Sequence, residues 1–596
     1  MGVLCPAILL LVLHNLSPTR PKSGQAGVTL PIPQHGEAPQ PPEEQPQLIP
    51  TTLASHNSPL DELAGAFADA SLAALPDARL ALAWPAGNAP DGPNSVIVPL
   101  TKDIAGWNTV GVVQRTQDVD FFIDIPFWSQ NNFTLELERR QLKCRLYYDP
   151  VSDDCLLVNE SSGRIHLTHV PPTGNDRPIL ARDDRYVVSP GVWRISIAEG
   201  TAARQHLLDF CVLRRQFVVD IAEAPPTTSW SARRSAPDDD EASGKRRRVD
   251  GDVSEILVAP AAVDQQDPPG PSAIATSTPP SPVLRQIRKP GITLLDLQDG
   301  EEAIVRTIHS AVGTVTAPIS TPGLESYRLR RVGAIAINRA SSVFASQHSE
   351  LSEPVVAKVI RYEGMSSNNL TKCVRRWRME TEMLERLHHR NIVSLRAVDG
   401  RMFAVYLELL PSSLNRGTES PFQPSDALTI LRDLSSALTY LHTEQHLAHN
   451  DIKPANITYS RRRGAVLIDF EMATPATGDG KLPGGSHCYI PPEFLKNPAN
   501  RGASGDMWAL GITLLYVLKK IPLPDKTVKV WPIFEAFDKA NTARGQMVAW
   551  LNSVAVQKER LDRTDRVEGL VYRMLETEPA SRIRADQVLA ALENET

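Results

Sequence analysis

Between His446 and Ser460 the chain reads HLAHNDIKPANITYS, so that Asp451, Lys453 and Asn456 place a carboxylate, an ammonium and an amide on one short loop. Such a set suits phosphoryl transfer, in which a protein grips phosphates, holds a divalent cation and sets an acceptor hydroxyl beside a base. On that reading Asp451 is the base, Lys453 neutralises the transferring group and Asn456 is a magnesium ligand. Asp469, which follows the run AVLI, is a carboxylate placed to bridge metal and phosphates, and Lys358 in EPVVAKVIRY is a cation presented from an alternating apolar strand.

The elements that must hold these groups are legible in periodicity. After the Lys358 strand, Val374, Trp377, Glu380, Leu384 and Leu387 recur by steps of three and four, which predicts a helix with one apolar face. Glu380 shares that face and points inward. A buried carboxylate is costly unless it meets a cation, and Lys358 is the candidate partner.

This ordered series resembles the eukaryotic-type protein kinase family over roughly residues 325 to 594. VVAK is similar to the family's lysine strand, LHHRNIVSL to the segment after its third helix, and FAVYLELL to the hinge that binds adenine. The resemblance implies ATP as phosphoryl donor with Mg2+, Leu407 as gatekeeper, and Glu408 and Leu409 as hinge backbone contacts. GGSHCYIPPEF is similar to the segment ending Ala-Pro-Glu, with Pro491 in the alanine position, and SGDMWALG to the Asp-x-Trp helix. It further implies that Glu493 pairs with Arg582 and that Asp506 braces the catalytic loop.

Departures from the family are specific. Aligned on Val343, AIAINRASSVFA puts Ala336, Asn338 and Ser341 where glycines cover the nucleotide, which implies weaker phosphate binding because glycine lets backbone amides approach closely. Glu471 replaces the glycine of Asp-Phe-Gly, and Asn450 replaces the arginine that pairs with a phosphorylated activation segment. The charged groups of the transition state remain, and Lys453 with Ser486 follows the serine/threonine pattern. An active serine/threonine kinase acting on protein hydroxyls is the expectation; a pseudokinase scaffold or nuclear adaptor is the alternative.

At 596 residues the chain implies a multidomain protein. Residues 1–94 read as an apolar start, MGVLCPAILLLVLHNLS, followed by a disordered Pro/Gln-rich stretch; 95–222 as an all-β sandwich; 223–320 as a disordered linker; and 321–596 as the two-lobed α+β kinase domain. The sandwich resembles a forkhead-associated domain, which implies phosphoprotein partners, although Gly111-Val112, Ser129-Gln130-Asn131-Asn132 and Ser162-Gly163 depart from that family and leave Arg115 and Ser129 as phosphate contacts.

Lys245-Arg246-Arg247-Arg248 in the linker reads as a nuclear-import signal, and Thr278-Pro279 and Ser281-Pro282 as acceptors for proline-directed kinases. Nuclear or cytoplasmic localisation is expected. A net charge of −6 gives no reason to expect nucleic-acid or membrane partners, and the six scattered cysteines indicate neither a disulfide framework nor a zinc site.

Overall fold

The computed structural model describes residues 78–85, 107–130, 137–170, 178–199, 203–223, 291–307, 326–362, 364, 367–476, 484–497, 502–537 and 541–593. The apolar start, the Pro/Gln-rich stretch, the Lys245–Arg248 cluster and the Thr278 and Ser281 sites lie outside them. Within the described residues the chain forms two compact units.

The first unit is all β. One sheet has the order β2-β1-β10-β9-β6-β7 and the other β3-β4-β5-β8. The former uses β1 (Ala78–Pro85), β2 (Trp107–Val113), β6 (Ile165–Val170), β7 (Ile179–Leu180), β9 (Gly191–Glu199) and β10 (Ala203–Val212). The latter uses β3 (Asp120–Gln130), β4 (Leu137–Tyr148), β5 (Cys155–Asn159) and β8 (Arg185–Val188).

Alternation builds the core: Phe121, Ile123, Ile125 and Phe127 of β3 meet Leu80, Leu82, Ile195 and Phe210 of the other sheet in one apolar cluster. Strand β1 corrects the expected boundary at residue 95. ARLALAWP is a short alternating run, and both Leu80 and Leu82 are fully buried.

The second unit carries a seven-stranded sheet of order β11-β12-β13-β14-β15-β17-β16. Its strands are β11 (Phe217–Glu223), β12 (Glu301–Thr307), β13 (Tyr327–Ile337), β14 (Ser341–His348), β15 (Val355–Ile360), β16 (Leu395–Asp399) and β17 (Ala404–Glu408). Two of these strands correct the sequence reading. β11 was expected at the end of the sandwich, and β12 lies inside the segment expected to be disordered.

The turn before β12 explains its order. Thr293 and Asp296 cap a short helical turn reciprocally, and Leu294 and Leu297 are fully buried. Helix α1 (Ser367–Arg386) packs Val374, Trp377 and Leu384 inward, and the Trp377 indole donates to Ala404 O at 3.0 Å.

Below this sheet the chain is mostly helical: α2 (Pro424–Thr439), α3 (Ala503–Val517), α4 (Pro524–Thr527), α5 (Thr542–Glu559), α6 (Arg566–Met574) and α7 (Ala585–Glu593). The hairpin of β19 (Ile457–Ser460) and β20 (Gly464–Leu467) packs on α2. β18 (Leu447–Ala448) pairs with β21 (Thr474–Pro475), which brings the two ends of the candidate site together.

Candidate active site

Strand register sets the upper wall. Ala336 pairs with Val343, and Val343 with Lys358, so the nucleotide-loop positions and the lysine form one row across β13, β14 and β15. Lys358 Nζ then lies 2.7 Å from Glu380 Oε1 and 3.1 Å from Asp469 Oδ1. The expected pairing of strand lysine and helix glutamate is present.

Burial opposes charge on Lys358, yet Glu380, Asp469 and Glu471 together raise its pKa above the usual lysine value. For Asp469, burial also works against ionisation, but the adjacent Lys358 holds its carboxyl below the ordinary aspartate value. An ionised Asp469 is what a hard divalent cation requires.

The loop after β18 brings the remaining groups together. Asp451 Oδ1 accepts from Ser486 Oγ at 2.8 Å, Lys453 Nζ lies 2.9 Å from Asp451 Oδ2, and Lys453 also donates to Ser486 Oγ at 2.7 Å. Asn456 Nδ2 donates to Asp451 O and Oδ2, both at 2.9 Å. With Nδ2 so directed, Oδ1 is the Asn456 atom suited to a cation. Lys453 and Ser486 thus both brace the aspartate, as the serine/threonine pattern implies.

Asp506 supports the loop from beneath, accepting from the amides of His449 at 2.8 Å and Asn450 at 2.7 Å and contacting His442 Nε2 at 2.9 Å. Although burial disfavours its charge, His442 and the loop amides keep the Asp506 pKa below the ordinary aspartate value. Deeper in the unit, Arg582 grips Glu493 through two bonds of 2.8 and 2.9 Å. At the hinge, Leu407 is buried, Leu409 is exposed, and the Glu408 carboxylate accepts from Ser394 N at 3.0 Å.

The departures have partners of their own. At the tip of β13 and β14, Asn338 Oδ1 accepts from the amides of Ala340 at 2.8 Å and Ser341 at 2.7 Å, so a side chain occupies donors that a phosphate would use. Asn450, at φ 62°, donates through Nδ2 to Ala448 O and Met472 O, each at 3.2 Å, and to Thr474 Oγ1 at 2.9 Å. Glu471 pairs with Arg376 of α1. Sequence reasoning missed Arg376, because an arginine one turn from Glu380 in an arginine-rich helix gives no signal of its own.

In the first unit, Arg115 is exposed and its amide donates to Asp118 Oδ2 at 2.9 Å. Gly163 O accepts from the buried Asn159 Nδ2 at 2.9 Å. Asn131 and Asn132 lie outside the described residues.

The chain matches the protein kinase domain family over residues 335–592. It is 24% identical over 277 residues to CBL-interacting protein kinase 8 of Oryza sativa subsp. japonica, covering 44% of this chain and 57% of that protein. It is 23% identical to CBL-interacting serine/threonine-protein kinase 3 of Arabidopsis thaliana, covering 44% and 58%. With testis-specific serine/threonine-protein kinase 1 of Mus musculus the identity is 27%, covering 44% and 72%. The chain spans little more than half the length of the two plant relatives. Residues 335–592 are thus a protein kinase domain.

Proposed function

We propose that the chain is a serine/threonine protein kinase that transfers the γ-phosphoryl group of ATP to protein hydroxyls with Mg2+ as the metal. The observation that carries this is the Lys453–Ser486–Asp451–Asn456 cluster, held on one loop system with the Lys358–Glu380–Asp469 set above it. Asp451 accepts the proton of the attacking hydroxyl, and Lys453 offsets charge on the transferring group. Lys358, oriented by Glu380, grips the phosphates.

Asn456 and Asp469 would hold the metal; their amide and carboxylate oxygens are the hard donors that Mg2+ selects. When bound, the ion supplies positive charge against the phosphate oxygens. Transfer of labelled phosphate from Mg·ATP to a generic Ser/Thr substrate tests this reading, and a substrate offering only tyrosine should remain unlabelled.

One observation favours a second reading, a scaffold that does not transfer. Asn338 Oδ1 takes up the Ala340 and Ser341 amides, which weakens the loop as a phosphate cradle. Nucleotide-dependent stabilisation grows with ligand concentration over Kd. A melting temperature unchanged by millimolar Mg·ATP, together with no transfer, would favour the scaffold.

A further inference from the structure

Helix α1 offers the active site two charges one turn apart. Arg376 and Glu380 are four residues apart and stack on one helix face. Glu380 meets Lys358 at 2.7 Å, Lys358 meets Asp469 at 3.1 Å, and Glu471, two residues beyond Asp469, meets Arg376. These contacts close a ring: strand β15 to helix, helix to the segment after β20, and that segment back to the strand lysine.

We infer that Arg376 and Glu471 are positioning residues for phosphoryl transfer, a pair that pins helix α1 to the segment carrying Asp469 and so keeps Lys358, Glu380 and Asp469 in register. The inference rests on the kinase reading above.

Three observations support it. First, Arg375 is exposed while the neighbouring Arg376 is turned inward, with its side chain 26% exposed beside a Glu471 that is 29% exposed. Partial burial makes the pair stronger than a surface contact, which would be worth little. Second, Glu471 is not among the residues with positive φ, so this arrangement does not use the freedom of the glycine it replaces. Its side chain adds a link at no backbone strain.

Third, the pair balances charge. Lys358 faces Glu380, Asp469 and Glu471, and Arg376 adds a second cation on the helix side of that group, against Glu471. Loss of the arginine should therefore hurt more than loss of Glu471. It follows that a carboxylate built into the chain ties helix to metal segment, whereas Asn450 leaves the catalytic loop no guanidinium for a phosphorylated segment.

The test is a double-mutant cycle in the full chain: wild type, Arg376→Gln, Glu471→Gln and both together, with Arg376→Lys as the conservative rescue. Two readouts are taken, kcat/KM for ATP and amide hydrogen exchange across 372–386, the second needing no turnover. Arg376→Gln should lower kcat/KM roughly tenfold, which corresponds to about 1.4 kcal/mol, and speed exchange in the helix. Arg376→Lys should recover most of both.

Glu471→Gln should lower kcat/KM by a smaller factor, about threefold, and also speed exchange in the helix, and the double variant should return to the Glu471→Gln level. Effects of the singles that simply multiply in the double variant, or Arg376→Gln indistinguishable from wild type in exchange, would overturn the inference. If the wild type transfers no phosphate, the kinase reading fails, while the exchange cycle still decides whether the pair holds the helix.

Discussion

Lys358 Nζ lies 2.7 Å from Glu380 Oε1 across the boundary between strand β15 and helix α1, and Glu380 is only 1% exposed. A buried pair of this kind is costly to break from one side, since the survivor keeps its charge without its partner. Glu380→Ala should destabilise the protein, read from urea unfolding, by less than the about 3–5 kcal/mol of a wholly uncompensated charge, because Asp469 still faces Lys358 at 3.1 Å. ATP affinity should fall with it, because Lys358 then has no helix partner to orient it. Unchanged unfolding and ATP titration curves would contradict the pairing.

His348 stacks on Tyr327 at 4.5 Å and meets Tyr406 edge-on at 4.9 Å. Burial pushes its pKa down from 6.5 to about 4, against the upward pull of Glu350 and Asp399. Above pH 6.5 the ring is neutral in both folded and unfolded chains, so no pH dependence arises there. As pH falls from 6.5 towards 4 the unfolded chain takes up a proton that the folded ring refuses, and stability drops. His348→Phe should flatten the slope of unfolding free energy in that window.

The strand added ahead of the kinase match should matter to the domain. Deleting 291–307 from the full chain removes β12 from the edge of β13 and exposes surface now covered by Leu294, Leu297, Ala303 and Val305. It also strips Arg331 of Asp299 at 2.6 Å and of Leu297 O at 2.6 Å. Each large apolar side chain is worth about 1.5–3 kcal/mol when buried. The melting transition of the kinase domain should fall by roughly 5 °C or more, measured calorimetrically.

Asn450 should be a structural substitute for an arginine that answers to phosphate. Asn450→Ala loses three hydrogen bonds and places alanine at φ 62°, where asparagine is tolerated better. A loss of about 2–4 kcal/mol is expected. Phosphatase treatment of the wild type should leave its turnover unchanged, and a phosphatase-sensitive rate would contradict this role.

Much of the site was legible because its residues sit at fixed offsets within short segments. Asp451, Lys453 and Asn456 share one loop, and Glu380 announces itself as a carboxylate on an apolar helix face. Lys358 lies within β15 and Asp469 two residues past β20, both runs visible in sequence, and the two side chains end up 3.1 Å apart. Arg376 was not legible. Its helix also carries Lys372, Arg375 and Arg378, and only the approach of Glu471 singles it out.

Strands β1 and β12 were missed for another reason. Each is a brief run beside long polar or proline-rich stretches, and their order comes from pairing with distant strands rather than from local pattern. Asn450 and Asn338 read as losses from a family pattern, whereas their side chains make hydrogen bonds that hold the altered loops.

Asp451 stands at the centre of the functional account, as the group that takes a proton from the acceptor hydroxyl. The direct measurement compares wild type with Asp451→Asn in transfer of labelled phosphate from Mg·ATP to a serine or threonine substrate, alongside ATP binding to both. Wild type should label the substrate, and the variant should bind ATP with similar affinity while transfer falls by roughly 100-fold or more. Equal labelling by both proteins, or none by either, would contradict it.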